Sequence, residues 1–176
     1  MDLKACIRKI PDFPKKGILF YDITTLLKDQ AALKHVIDQV YEHYIKKEAA
    51  PAKIVAVESR GFIFGAALAY KLHAGFVPVR KPGKLPAKTL STSYALEYGK
   101  DSICMHEDAI VQGERVLIVD DLLATGGTAK AAIDLVEKCG GKVIGLAFVV
   151  ELGFLRGREK LKGYDVFSLV NYVKEE

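Results

Sequence analysis

Residues 116–129, V-L-I-V-D-D-L-L-A-T-G-G-T-A, carry the densest chemistry in the chain. Their four leading apolar residues suit a buried strand. Asp120 and Asp121 follow at its carboxyl end, where open parallel sheets take their ligands. Ala124, Thr125, Gly126, Gly127 and Thr128 then turn into a helix. The two glycines let the backbone approach a ligand, and the first helical N–H groups, which have no preceding carbonyl to bond, point at it. Thr125 and Thr128 add hydroxyl donors, completing a phosphate cradle. A helix dipole adds only about 0.3–1 kcal/mol, so direct hydrogen bonds must carry the binding. Two carboxylates beside a phosphate would repel it. They make sense as acceptors from sugar hydroxyls, or as attractors of a magnesium ion that the substrate brings.

Other nucleotide motifs fail. A Walker A loop ending at Lys88-Thr89 would need glycines where Pro82 and Ala87 stand, and no G-x-G-x-x-G follows a strand. His35, His43, His73 and His106 lack metal-ligand spacing. Cys104 and Cys139 read as packing residues with no paired base.

The elements that must position this cradle are legible around it. Apolar runs at 54–57, 76–79, 116–119, 143–150 and 166–170 are continuous rather than alternating, as strands covered on both faces should be. Between them lie helical stripes. Leu33, Val36, Ile37, Val40 and Tyr44 form one, and Phe62, Ala66, Ala69 and Leu72 a second. Ala129, Ala132, Ile133, Val136 and Cys139 form a third, which Gly140-Gly141 ends. Strands alternating with helices imply an α/β fold, a mostly parallel central sheet flanked by helices. Residues 10–25, with two prolines and a glycine, should form a cap over the sheet. Residues 81–101 read as a long polar loop of the kind that usually has a function.

Composition sets the outer limits. The 176 residues suit one domain, half of them hydrophobic and 27% charged, as in a soluble globular protein. A net charge of +4 is too mild to argue for nucleic acid, but it suits a small anionic substrate. Three widely spaced cysteines fit a reducing compartment. The mixed charges of the first residues are unlike a signal peptide, and no apolar run reaches the ~18 residues of a membrane span. A cytoplasmic protein without membrane or nucleic-acid partners is expected.

Residues 116–129 closely resemble the phosphoribosyl-pyrophosphate (PRPP) motif of type I phosphoribosyltransferases. Four further stretches resemble the adenine-using branch of that family. They are P-D-F-P-K-K-G-I-L-F-Y-D-I-T (11–24), V-E-S-R-G-F (57–62), R-K-P-G-K-L-P (80–86) and S-Y-A-L-E-Y-G-K (93–100). The resemblance implies a type I phosphoribosyltransferase fold, with an N-terminal cap, or hood, over about residues 1–30 and a flexible lid over about 81–101. It implies transfer of a phosphoribosyl group from PRPP to adenine, giving AMP and pyrophosphate in purine salvage, with Mg2+ bound to PRPP.

Roles then follow position by position. Residues 124–128 would hold the 5-phosphate, and Asp120 and Asp121 the ribose hydroxyls. Arg60, Arg80, Lys81 and Lys84 would face the pyrophosphate, with a commonly cis peptide between Glu58 and Ser59. Leu19, Phe20 and Tyr21 would contact adenine, Phe20 by stacking and its neighbours mainly through backbone groups. Glu97 would be the catalytic carboxylate and Tyr98 would pack over the substrate once the lid closes. No dedicated metal ligands are implied beyond a water bridge to Asp120 or Asp121. A homodimer is implied as well.

The chain departs from many relatives at Tyr21, where they have arginine, and at Ala67 and His73, where they have proline and glycine. The latter two read as helix-packing changes. The cradle alone leaves open a sister enzyme for another base, or a regulator that binds the donor without chemistry. The cap argues against the first. Glu97, and the lack of room for a separate DNA-binding module, argue against the second.

Overall fold

The computed structural model describes residues 1–46, 50–96 and 99–175, without the side chains of Ala95 and Leu96. The chain opens with two short strands, β1 (Arg8–Pro11) and β2 (Leu19–Asp22), paired antiparallel. Two helices follow, α1 (Thr24–Leu27) and α2 (Gln30–Ile45). Asp29 caps α2, its carboxylate accepting the Ala32 N–H at 2.8 Å.

Then come β3 (Lys53–Val57), α3 (Arg60–Leu72) and β4 (Gly75–Val79). A hairpin of β5 (Thr89–Leu96) and β6 (Gly99–His106) leads to β7 (Arg115–Leu123) and α4 (Gly127–Lys138). The chain ends with β8 (Lys142–Leu152), two 3-10 turns, and β9 (Val166–Tyr172). The central sheet has the order β4-β3-β7-β8-β9 and every pairing in it is parallel. The five expected strands are all present.

Each face of this sheet carries its own core. On one, Ile54, Leu117, Val119, Val149 and Tyr172 meet α2, α3 and the cap, whose Leu3, Ile7, Tyr21, Ile23 and Leu26 are buried there. On the other, Val55, Val79, Ile118 and Phe148 meet α4 and the hairpin residues Ile103 and Met105. Burying both faces is what makes these strands read as unbroken apolar runs. The edge strand β4 is the exception, with Phe76 38% exposed.

Two expectations need correction. Residues 81–101 are not a structureless loop, because β5 and β6 occupy much of that span. Arg80 and Cys104 exchange backbone hydrogen bonds of 3.0 and 2.8 Å, which tie the hairpin to the end of β4. The second correction concerns α3. Its buried face is Gly61, Phe64, Gly65, Leu68, Ala69 and Leu72, whereas Ala66 is exposed and Phe62 only half-buried. The helix is apolar almost all round, so periodicity could not orient it. Among the described residues no helix is long and apolar enough to cross a membrane.

Candidate active site

At the carboxyl ends of β3, β4 and β7 lies a cavity of about 360 Å³. Its walls bring together the sequence-predicted Arg60, Arg80, Lys81, Asp120, Asp121 and residues 124–128. Parallel strands all point their carboxyl ends the same way, so residues far apart in sequence converge at one edge.

The loop of residues 124–128 leads into a helix, as its sequence suggests. Gly126 is the N-cap of α4 and takes a left-handed φ of 79°, which its lack of a side chain permits. The amides of the first turn of α4 have no earlier carbonyl within the helix. Thr125 and Thr128 both line the cavity.

The carboxylates behave differently from one another. Asp121 is 6% exposed and receives the Arg60 guanidinium from the start of α3. Burial and the neighbouring Asp121 charge push the Asp120 carboxyl well above the usual carboxylate range. One Asp120 oxygen accepts the Asp121 N–H at 2.9 Å. Among the described residues no cluster of three or more His, Cys, Asp or Glu could hold a metal ion.

The cations arrive with partners. Arg80 donates to Glu58 at 2.9 Å and Lys84 reaches the same oxygen at 3.2 Å. The Arg80 hydrogen bond, with Lys84 beside it, holds the Glu58 carboxyl below its usual range. Lys81 pairs with Asp101 on β6, which raises the Lys81 ammonium above its ordinary value. The peptide between Glu58 and Ser59 is cis. Lys84 itself lies outside the cavity wall and is exposed.

Leu19, Phe20 and Tyr21 do not line the cavity either. Their strand is linked to it through Phe20, whose ring centre is 5.8 Å from the Arg60 guanidinium. Tyr21 turns its side chain into the core, its ring centre 4.3 Å from that of Tyr172, so no side-chain role at the cavity is open to it. Glu97 and Tyr98 lie outside the described residues.

Three wall residues on the hairpin escaped the sequence reading, Tyr94, Asp101 and Ile103. Tyr94 donates to Asp101 at 3.3 Å. For Tyr94 a partial signal was present, Leu90, Thr92, Tyr94 and Leu96 recurring at every second position among smaller residues; Asp101 had none.

Comparison with known proteins gives a consistent picture. The model of the phosphoribosyl transferase domain family matches residues 22–175. A curated adenine phosphoribosyltransferase from Koribacter versatilis is 58% identical over 172 residues, which is 98% of this chain and 93% of the relative. The crystal structure of adenine phosphoribosyltransferase from Thermoanaerobacter pseudethanolicus matches with a TM-score of 0.92 at 56% identity, covering 97% of this chain and 98% of that one. The Saccharomyces cerevisiae adenine phosphoribosyltransferase, solved with adenine and an imino-altritol bisphosphate, matches at 0.89 and 42% identity over 96% of each chain.

Proposed function

The chain belongs to the phosphoribosyl transferase domain family, and from that membership we propose that it joins adenine to PRPP, giving AMP and pyrophosphate. The observation that carries this reading is a single cavity walled by both the phosphate loop and Arg60, Arg80 and Lys81. PRPP has phosphate at both ends of its sugar and needs both features.

In the reaction a ring nitrogen of adenine attacks the anomeric carbon. The carbon–oxygen bond to pyrophosphate breaks and its electron pair leaves with the pyrophosphate. Positive charge grows on the sugar and negative charge on the leaving group. Fixed cations in a site that excludes water stabilise the latter strongly. Residues 124–128 hold the 5-phosphate, Asp120 and Asp121 bind the ribose hydroxyls, and Arg60, Arg80, Lys81 and Lys84 face the pyrophosphate. Leu19, Phe20 and Tyr21 receive adenine, Tyr21 through its backbone alone. Glu97 manages the purine proton or the sugar's charge, and Tyr98 packs over the closed site.

Magnesium fits this donor set as an ion carried by PRPP. Most of its ligands would be diphosphate oxygens and water, and Asp120 or Asp121 would reach it through water. When bound, it neutralises charge on the departing pyrophosphate.

Two further parts of the reading concern the whole chain. A homodimer is supported by exposed apolar side chains on the outer face of α3 and on the adjoining edge strand. Ile63 is 44% exposed there, Tyr70 87% and Phe76 38%. A cytoplasmic location is supported by three cysteines that are all free.

The deciding experiment supplies adenine, PRPP and Mg2+ and follows AMP, with hypoxanthine, xanthine and orotate as rival bases. AMP from adenine in clear preference to the other nucleotides is expected. Glu97→Ala should lower kcat by about 10²–10⁴-fold. A chain that bound PRPP without forming AMP would overturn the reading.

A further inference from the structure

Behind the phosphate loop lies a polar cluster that the reading above does not use. Glu151 is paired in register with Leu123, the residue just before the loop, and is only 3% exposed. Arg158, in the 3-10 turn Gly157–Leu161, grips its carboxylate with two hydrogen bonds of 2.7 and 2.8 Å. The same guanidinium donates to the Val166 carbonyl at 2.8 Å and to Ser168 Oγ at 3.1 Å. Ser168 in turn donates to Glu151 at 2.6 Å. One side chain thus ties the turn to β8 and β9.

Glu151 is buried but the Arg158 side chain is 46% exposed, and a pair that one partner keeps in water is a poor route to stability. A planar fork on a carboxylate instead supplies a fixed geometry. That geometry bears on the loop. A Cβ on Gly126 would lie 2.4 Å from the Gly157 carbonyl oxygen, and a Cβ on Gly157 would lie 2.2 Å from the Ala124 carbonyl oxygen. The turn and the loop are in backbone contact, and Leu161, 1% exposed, anchors the far end of the turn in the core.

We propose that Glu151, Arg158 and Ser168 are positioning residues that seat Gly157 against Ala124 and Gly126, and so set the loop's backbone for the 5-phosphate of the donor. This rests on the reading of residues 124–128 as the 5-phosphate cradle. None of the three lines the cavity; they act through the turn.

The test measures KM for PRPP and for adenine separately, together with calorimetric binding of ribose 5-phosphate and circular dichroism, in Arg158→Lys, Ser168→Ala and Gly157→Ala. Lysine keeps the charge but loses the fork. Arg158→Lys should raise the PRPP KM and the ribose 5-phosphate Kd about tenfold or more, with the adenine KM changed less than about twofold. Ser168→Ala should shift them the same way by less. Gly157→Ala should do so without touching the ion pair, so it decides the matter should Arg158→Lys not fold. Folded variants with unchanged ribose 5-phosphate binding, or with both KM values rising together, would overturn the proposal. A wild-type chain that binds ribose 5-phosphate but makes no AMP counts against the transferase reading alone, and the variants' ribose 5-phosphate affinities then decide the cluster.

Discussion

Arg60 and Asp121 meet across 61 residues of sequence, and their pairing is typical of the site, where each cation faces a carboxylate. Single residues outside the cavity are organised by the same chemistry. Asp22, at the end of β2, accepts the Thr24 N–H at 2.9 Å, the Thr24 hydroxyl at 2.8 Å and the Arg8 guanidinium at 2.5 and 2.9 Å. The Thr24 backbone bond and Arg8 together lower its carboxyl from 3.8 to about 2. A depressed carboxyl stabilises the fold above its unfolded pKa, and that contribution is lost as pH falls from about 4 to about 2. Allowing for the half-exposed Arg8, Asp22→Asn should cost about 1–2 kcal/mol at neutral pH. The gap between variant and wild type should close as the pH falls through that window, and urea unfolding across pH checks this.

Among the elements, α3 gives the clearest correction. It ends on His73, whose φ is 54°, and the Ala74 N–H closes the end on the Ala69 carbonyl at 2.9 Å. This is the left-handed position where helices favour glycine. A glycine at this position would therefore be a matter of backbone conformation, not of helix packing. His73→Gly should stabilise the chain by about 0.5–1 kcal/mol, raising Tm by about 1–4 °C with activity unchanged. A scanning calorimetry trace showing a lower Tm would contradict this. The hairpin β5–β6 is an element that sequence reading missed outright. Pro82, Gly83, Pro86 and Gly99 within residues 81–101 suggested a loop and masked the strand at 89–96.

At the scale of the whole molecule, the sheet order β4-β3-β7-β8-β9 sets three consecutive strand ends beneath one cavity. It also leaves β4 and the outer face of α3 at an edge, where Phe76 on the strand, and Ile63 and Tyr70 on the helix that carries Arg60, are exposed. If a second copy covers that edge, sedimentation should give a mass about twice 19.3 kDa. Ile63→Glu with Tyr70→Glu should then yield monomers. A wild-type chain that sediments as a monomer at micromolar concentration would remove the dimer from the reading.

The amino-acid order alone determined the five parallel strands, the glycine-rich loop of residues 124–128 and the acidic pair before it, because each is written in contiguous residues with a clear local pattern. The resemblance carried by the same stretches marked Arg60, Arg80 and Lys81, and folding brought all three to the wall of the loop's cavity. Only the tertiary structure decided which way α3 faces, where Tyr21 points, that Tyr94 and Asp101 join the wall, and that Arg158 stands behind the loop. Those facts depend on contacts between segments far apart in the chain. Local periodicity carries no information about them, because an all-apolar helix or a lone arginine reads the same whichever neighbour it finally meets.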